Sequence, residues 1–315
     1  MKIDFERAVE LLKGNNNFLV LTHANPDGDT IGGGLALVYA LRKAGKRARL
    51  INNDEIPQKY SYLFENMQED DFCEEFIVSV DVAEKKLLGS ELTEKYGDKV
   101  DLAIDHHSSS KLFAKETYTE TDSASACEVV YLLIKAMGVE INKDIANCLF
   151  TGCSTDTGCF KYANVTARTH LIAAELISAG AENGKINAKM FDSKTKSSIM
   201  LEKMCLNRLK FFADGKVALI TVTKEMFEET GAVKSDLDII KPLTRQIEGV
   251  KIGVTIKYEG NAIGVSIRSN EDYDASEICK HFGGGGHIRA AGCEFREPIE
   301  EVEKKVISYI LENVI

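Results

Sequence analysis

The stretch FLVLTHANPDGDTIGGGLAL, residues 18–37, decides how the fold is read. Phe18 to Leu21 are apolar without interruption. So short and so apolar a run reads as a strand buried on both faces. The run breaks off at Thr22 and His23 and passes through Asp27 and Asp29. It then enters a second apolar segment by way of Gly32, Gly33 and Gly34. That segment, residues 31–41, has helical spacing. Strand, polar loop and helix together open an alternating α/β fold, in which such a loop lies beyond the carboxyl end of its strand. One imidazole and two carboxylates sit on this loop.

The rest of the first half repeats the alternation. Residues 47–51, 76–80 (FIVSV) and 100–104 (VDLAI) read as strands. Residues 123–137, 143–153 and 166–179 read as helices, the first with Ser123 as its expected N-cap and the last stopped by Gly180. This predicts an α/β chain whose N-terminal domain is a doubly wound, mostly parallel sheet. Residues 183–212 show no strand pattern and no proline. The expected boundaries are a first domain at 1–185, a helical linker at 186–212 and a smaller α/β domain at 213–315. Within that second domain, residues 236–247 read as a helix. Residues 251–258 and 262–268 read as a hairpin around Glu259-Gly260-Asn261. A further helix is expected at 275–281, before the glycine run Gly283–Gly286.

A length of 315 residues suits two domains, and 44% hydrophobic with 28% charged residues is ordinary globular chemistry. The net charge of -10 argues against a sequence-blind grip on long duplex DNA, which needs a basic surface. A small anionic substrate stays compatible, because bound cations invert local charge. The first fourteen residues form an amphipathic helix pattern rather than a signal peptide, and no run is long enough to span a membrane. The eight cysteines include no C-x-x-C pair and are expected as buried, reduced thiols in a cytoplasmic chain.

Three strands end in acids or imidazoles: 18–22 in His23, Asp27 and Asp29; 76–80 in Asp81; 100–104 in Asp105, His106 and His107. Asp156, in TGCSTDTGCF, follows a helix. In a parallel sheet such groups collect beyond the carboxyl strand ends, however far apart they lie in sequence. Taken singly, each has a plain structural explanation: an Asp after a strand is commonly a turn or helix cap. Together, their mutual repulsion demands bound cations. Carboxylates and imidazoles without thiolate suit Mn²⁺ or Mg²⁺, and less specifically Fe²⁺ or Co²⁺. The set exceeds the needs of one ion, and two ions would share a bridging carboxylate. For Gly32–Gly34, close helix–sheet packing is the plainer account beside a phosphate cradle. Gly283–Gly286 can aim amides at an anion, His287 can donate to a phosphate, and Arg268 can clamp one, with Arg289 a further basic neighbour.

The ordered motifs HANPDGD (23–29), Asp81, DHH (105–107) and STDTG (154–158) resemble those of the DHH phosphoesterase superfamily, the RecJ-like proteins. SIRS (266–269) and GGGGHIRAAG (283–292) resemble its associated C-terminal domain, and the two-domain size is similar to the nanoRNase/pAp phosphatase branch. The resemblance implies that His23 and Asp27 hold a first ion, that Asp81 bridges, and that Asp29, His106 and Asp156 complete a second site. It implies that His107 faces the substrate phosphate and that Asp105 orients a metal-bound imidazole. Arg268, Ser269, Gly284, Gly285, Gly286 and His287 would bind substrate across a cleft from the metals. The implied activity is hydrolysis of short oligonucleotides to mononucleotides, and of pAp to AMP and phosphate, with two divalent cations, Mn²⁺ foremost. Cleavage of cyclic dinucleotides or linear pApA is an alternative, polyphosphate or pyrophosphate hydrolysis a weaker one. A non-catalytic nucleic-acid or protein-binding scaffold is the reading from a different class. A homodimer is compatible with the sequence.

Overall fold

The computed structural model describes residues 1–270 and 272–315, with the side chains of Asp238 and His287 outside the description. The chain divides into two compact units, Met1–Ser193 and Lys194–Ile315. Of the expected connector, residues 186–193 fall in the first unit and residues 194–212 in the second.

The first unit comprises α1 (Phe5–Gly14), β1 (Phe18–Leu21), α2 (Gly28–Lys43), β2 (Ala48–Ile51), β3 (Phe76–Val80), α3 (Ser90–Tyr96), β4 (Leu102–Asp105), β5 (Glu116–Thr119), α4 (Ala126–Met137), α5 (Lys143–Asp156), α6 (Ala167–Ser178) and α7 (Asn183–Asn187). Its five strands lie in the order β2-β1-β3-β4-β5, every pair parallel. All four residues of β1 have zero exposure. Phe18 and Val20 join the core under α2, α4 and α5, whereas Leu19 and Leu21 join the core that contains Leu92 and Tyr96 of α3. Burial of each such side chain is worth about 1.5–3 kcal/mol, which is why an uninterrupted apolar run, not an alternating one, marks this strand. From β1 the chain moves to β2 on one side and then to β3 on the other. The carboxyl ends of β1 and β3 therefore form a topological switch point, where α/β sheets open a crevice.

The glycine triplet serves packing. A Cβ on Gly32 would come 2.4 Å from the Cys148 carbonyl oxygen on α5, and one on Gly34 would come 2.7 Å from Leu50 of β2. The cap of α4 is Ser125, not Ser123: its hydroxyl accepts from the Glu128 N–H at 3.2 Å. β5, with the sequence ETYT, shows no apolar run that would mark it as a strand.

The second unit comprises α8 (Lys196–Asn207), β6 (Lys210–Phe212), β7 (Val217–Val222), α9 (Lys224–Thr230), β8 (Ile252–Tyr258), β9 (Ile263–Ser269), α10 (Ala275–His281), β10 (Gly285–His287), β11 (Ala290–Phe295) and α11 (Ile299–Asn313). The sheet order is β10-β11-β9-β8-β7-β6, with only β7 and β8 parallel. The expected hairpin is present as β8 and β9. The expected helix over 236–247 is instead two 3-10 turns, Lys234–Ile239 and Leu243–Gln246. Pro242 lies between them, and its missing N–H and ring interrupt an α-helix there. β6 arises within a stretch read as helical. Three residues carry no period, and the strand exists by pairing with β7. Among the described residues, no helix is long and apolar enough to cross a membrane.

Candidate metal centre

The loop after β1 carries the first group of side chains. Asp27 is the N-cap of α2: its Oδ1 accepts from the Asp29 and Thr30 N–H groups, each at 3.0 Å. Its other oxygen lies 3.6 Å from His23 Nε2. The cap and the proposed ligand are thus the same carboxylate, one oxygen for each task. His23 Nδ1 lies 2.8 Å from the Ala24 carbonyl oxygen, so the ring proton sits there and Nε2 faces the carboxylates. Asp81 follows β3 in a left-handed conformation, φ 61°, with its N–H on the Ile104 carbonyl at 2.9 Å. Such backbone costs about 1 kcal/mol or more and concentrates at functional sites. Asp81 Oδ2 is 3.5 Å from His23 Nε2, and its Oδ1 is 3.7 Å from His106 Nε2. One oxygen of this carboxylate therefore faces His23, and the other faces His106 and, at 3.6 Å, His107 Nδ1.

Asp29 is fully enclosed. Its Oδ2 accepts from the Ala126 N–H at 2.7 Å and its Oδ1 from the Cys127 N–H at 2.9 Å, at the first turn of α4, where unpaired amides and the helix dipole favour an anion. Its Oδ2 is 3.8 Å from His106 Nε2. Asp156, in the last turn of α5 rather than after it, brings Oδ2 to 3.8 Å from the same nitrogen. His106 Nδ1 lies 3.2 Å from the Ser123 carbonyl oxygen, so Nε2 again faces the acids. Two triplets result, His23–Asp27–Asp81 and Asp29–His106–Asp156. In each, one ligand atom per residue lies within 4.8 Å of the others. A third grouping, Asp81–His106–His107, overlaps them.

Asp105 meets a different imidazole from the one implied. Its Oδ1 accepts from the backbone N–H groups of His106 and His107 and lies 2.8 Å from His107 Nδ1. It orients His107, the imidazole read as substrate-facing. The ligand-type His106 is oriented by Ser123, whose carbonyl was not singled out in the sequence.

Burial pushes the Asp81 carboxyl up to about 7, with the charge of Asp29 adding to the effect. Burial, and then neighbouring acids, likewise raise Asp156. Asp29 is raised chiefly by burial. Burial opposes the charge on Asp27, but His23 and the two cap N–H groups hold its carboxyl below the usual range. Burial also opposes the charge on His23, yet Asp27 and Asp81 push its imidazole up to about 11. The hydrogen bond to Asp105 pushes His107 up to about 9. Protons thus serve as counter-charges in a pocket built for positive charge. Asp81 Oδ1 is buried with no hydrogen-bond partner among the described residues. The nearby thiols Cys127 and Cys153 are held protonated by burial, which leaves an oxygen-and-nitrogen donor set. That set and the orphaned oxygen fit a pair of hard divalent cations sharing Asp81.

The second-unit candidates divide. Arg268 lies half-buried on β9, opposite Ala290 of β11. Ser269 is 2% exposed, and its hydroxyl donates to the Ile288 carbonyl at 2.9 Å. It braces the turn after β10. Arg289 braces the same region, its Nη1 donating to the Asn270 and Tyr273 carbonyls. A Cβ on Gly284 would meet the Gly292 carbonyl oxygen at 2.2 Å, and one on Gly286 the Ala290 carbonyl oxygen at 2.6 Å. At Gly285 a Cβ would enter open space. Packing therefore explains Gly284 and Gly286 but not Gly285. The His287 side chain lies outside the described residues.

Asn52 was missed. Its Nδ2 donates to Thr22 Oγ1 and the His23 carbonyl, each at 2.7 Å, which ties the ligand loop to the end of β2. The signal was available, since Asn52 follows a strand at the same sheet edge as the acids.

Residues 17–153 match the family model described as DHH family, N-terminal domain, and residues 214–313 match the DHHA1 domain. The chain belongs to the DHH family. DHH-family phosphoesterases are divalent-metal-dependent hydrolases of phosphoester bonds. This DHH-family chain is 29% identical over 301 residues to the bifunctional oligoribonuclease and PAP phosphatase NrnA of Thermus thermophilus, covering 94% of this chain and 89% of that one. It is 22% identical over 297 residues to the NrnA of Bacillus subtilis, covering 93% and 92%. A solved structure of an exopolyphosphatase-related protein from Bacteroides fragilis superposes with a TM-score of 0.86 at 25% identity, covering 97% and 96%. RecJ from Thermus thermophilus, solved with Mn²⁺, shares the fold at a TM-score of 0.59 and 15% identity, covering 98% of this chain and 54% of that one.

Proposed function

We propose that this chain is a dimetal phosphoesterase that hydrolyses short oligonucleotides to mononucleotides and converts pAp to AMP and phosphate. The observation that carries the proposal is the pair of ligand triplets meeting at Asp81. End-to-end similarity to proteins named as oligoribonuclease and PAP phosphatase supports the choice of substrate.

His23, Asp27 and Asp81 would hold one cation, and Asp29, His106 and Asp156, with Asp81 shared, the other. When bound, the pair supplies acidification of water and neutralisation of phosphoryl charge. With two imidazoles among the donors, Mn²⁺ is the preferred ion and Mg²⁺ a working substitute. The chain's own residues do the rest. The N-terminus of α4 keeps Asp29 in place, so the pocket needs no rearrangement on loading. Asp105 fixes His107 by Nδ1 and sustains its proton, which directs the Nε2 proton towards a phosphoryl or leaving-group oxygen. Arg268 and the Gly285 amide would hold another part of the substrate.

The test is a panel of pAp, pApA, di- to hexanucleotides, cyclic dinucleotides and polyphosphate, with Mn²⁺, Mg²⁺ and EDTA arms. Mononucleotides from the shortest oligomers, AMP from pAp, and silence in EDTA are expected. Preferred turnover of polyphosphate or cyclic dinucleotides would overturn the substrate assignment. Metal-independent turnover would overturn the mechanism.

A further inference from the structure

The two triplets share the β1–α2 stretch that carries His23, Asp27 and Asp29, but each also has a backbone support of its own. The first depends on the β1–α2 loop, tied down by Asn52 through Thr22 and His23. The second depends on residues 123–127. The Ser123 carbonyl sets His106, and the Ala126 and Cys127 N–H groups set Asp29. This short segment touches two of the three ligands and no member of the first triplet by a hydrogen bond given above.

Three side chains fix the segment. Glu128 has zero exposure, and its Oε2 accepts from the Ala124 N–H at 2.8 Å. Arg168, on α6, reaches back with Nη2 donating to Ser123 Oγ at 2.9 Å and Nη1 lying 2.6 Å from Glu120 Oε1. The same guanidinium is the cation opposite Glu128, at 3.7 Å. Asn164 joins the segment to the third ligand: its Nδ2 donates to the Ala124 carbonyl at 2.9 Å and to the Asp156 carbonyl at 3.3 Å. A bridge from one amide to both backbones fixes the spacing between the helix that presents Asp156 and the segment that orients His106.

We propose that Asn164 and Arg168 are positioning residues that set the Asp29–His106–Asp156 triplet through residues 123–127, and so tune one of the two ions separately from the other. The proposal rests on the dimetal reading above and deepens it. Groups that orient ligands from behind are worth about 10- to 100-fold in metal affinity.

The experiment is Mn²⁺ titration of the full chain by calorimetry and electron paramagnetic resonance, beside thermal melts in EDTA. The wild type takes up two ions. Asn164→Ala, an exposed side chain, keeps the metal-free melting temperature and weakens one ion by about 10- to 100-fold. Arg168→Ala weakens the same ion, and Arg168→Lys restores part of it. Asn52→Ala weakens the other. In an Asp156→Asn background that retains one ion, Asn164→Ala has no further effect while Asn52→Ala does. Equal weakening of both ions by Asn164→Ala, or no weakening of either, overturns the proposal. A wild type that takes up no ion overturns the dimetal reading itself.

Discussion

Replacing Asp81 by asparagine should stabilise the metal-free protein and destroy its response to metal. In the folded chain burial pushes the Asp81 carboxyl up to about 7 from the ordinary aspartate value of 3.8. A carboxyl whose folded value is raised gives its full contribution below the unfolded value, and loses it as pH climbs through the folded one. The cost of ionising Asp81 therefore grows between about pH 4 and pH 7 and stays level above that. The shift corresponds to up to about 4 kcal/mol at pH 8. Loss of the Asp81 charge also removes a partner from His23, so the net gain is smaller. At about 2 °C or more per kcal/mol for a chain of this size, the Asn variant in EDTA at pH 8 should melt several degrees above wild type. The gap should narrow steadily as pH falls to 5 and close only near pH 4. With Mn²⁺ the order should reverse, because only the wild type gains the ion linkage. Calorimetric melts from pH 5 to 8.5, with EDTA and with Mn²⁺, read all four states. A variant less stable than wild type in EDTA at pH 8, or one still stabilised by Mn²⁺, refutes the reasoning.

Metal uptake should release protons, because His23 is pushed up to about 11 and an ion must displace the proton held at Nε2; apparent affinity should weaken as pH falls from 8 to 6, as read by calorimetry in buffers of different ionisation enthalpy. Gly152→Ala should cost about 1–3 kcal/mol in urea unfolding and disturb the second triplet, since its Cβ would fall 2.1 Å from Cys127 Sγ and 2.7 Å from Asp29 Oδ1. Gly285→Ala should leave stability unchanged but raise KM for a dinucleotide, whereas Gly286→Ala, at φ 146° and against Ala290, should destabilise the second unit; equal stability losses would remove the case for Gly285 as a contact. Asp105→Asn should lower kcat while the ion stoichiometry stays at two, because it grips His107 and no proposed ligand side chain.

The sequence carried the first sheet well because β1 and β3 bury both faces and so consist of nothing but apolar residues. It carried the acids and imidazoles because each follows a strand or ends a helix at one sheet edge. β5 and β6 were illegible for a shared reason. Neither ETYT nor KFF has a period of its own, and each is a strand only by virtue of the neighbour it pairs with. The Asp105 partner could not be read either, since imidazoles follow it at both the first and the second position and only the turn after β4 selects His107. Ser123 and Asn164 act through backbone carbonyl groups, which every residue possesses and no motif records. Arg168 meets the side chains of Glu120, Ser123 and Glu128 from some forty positions away, a spacing no local pattern marks.

The central claim concerns where two cations sit, and anomalous diffraction from a crystal soaked in Mn²⁺ tests it most directly. Two peaks about 3.5–4 Å apart are expected, one beside His23 and Asp27 and one beside Asp29, His106 and Asp156, with Asp81 between them. A single peak, or peaks away from Asp81, would contradict the account.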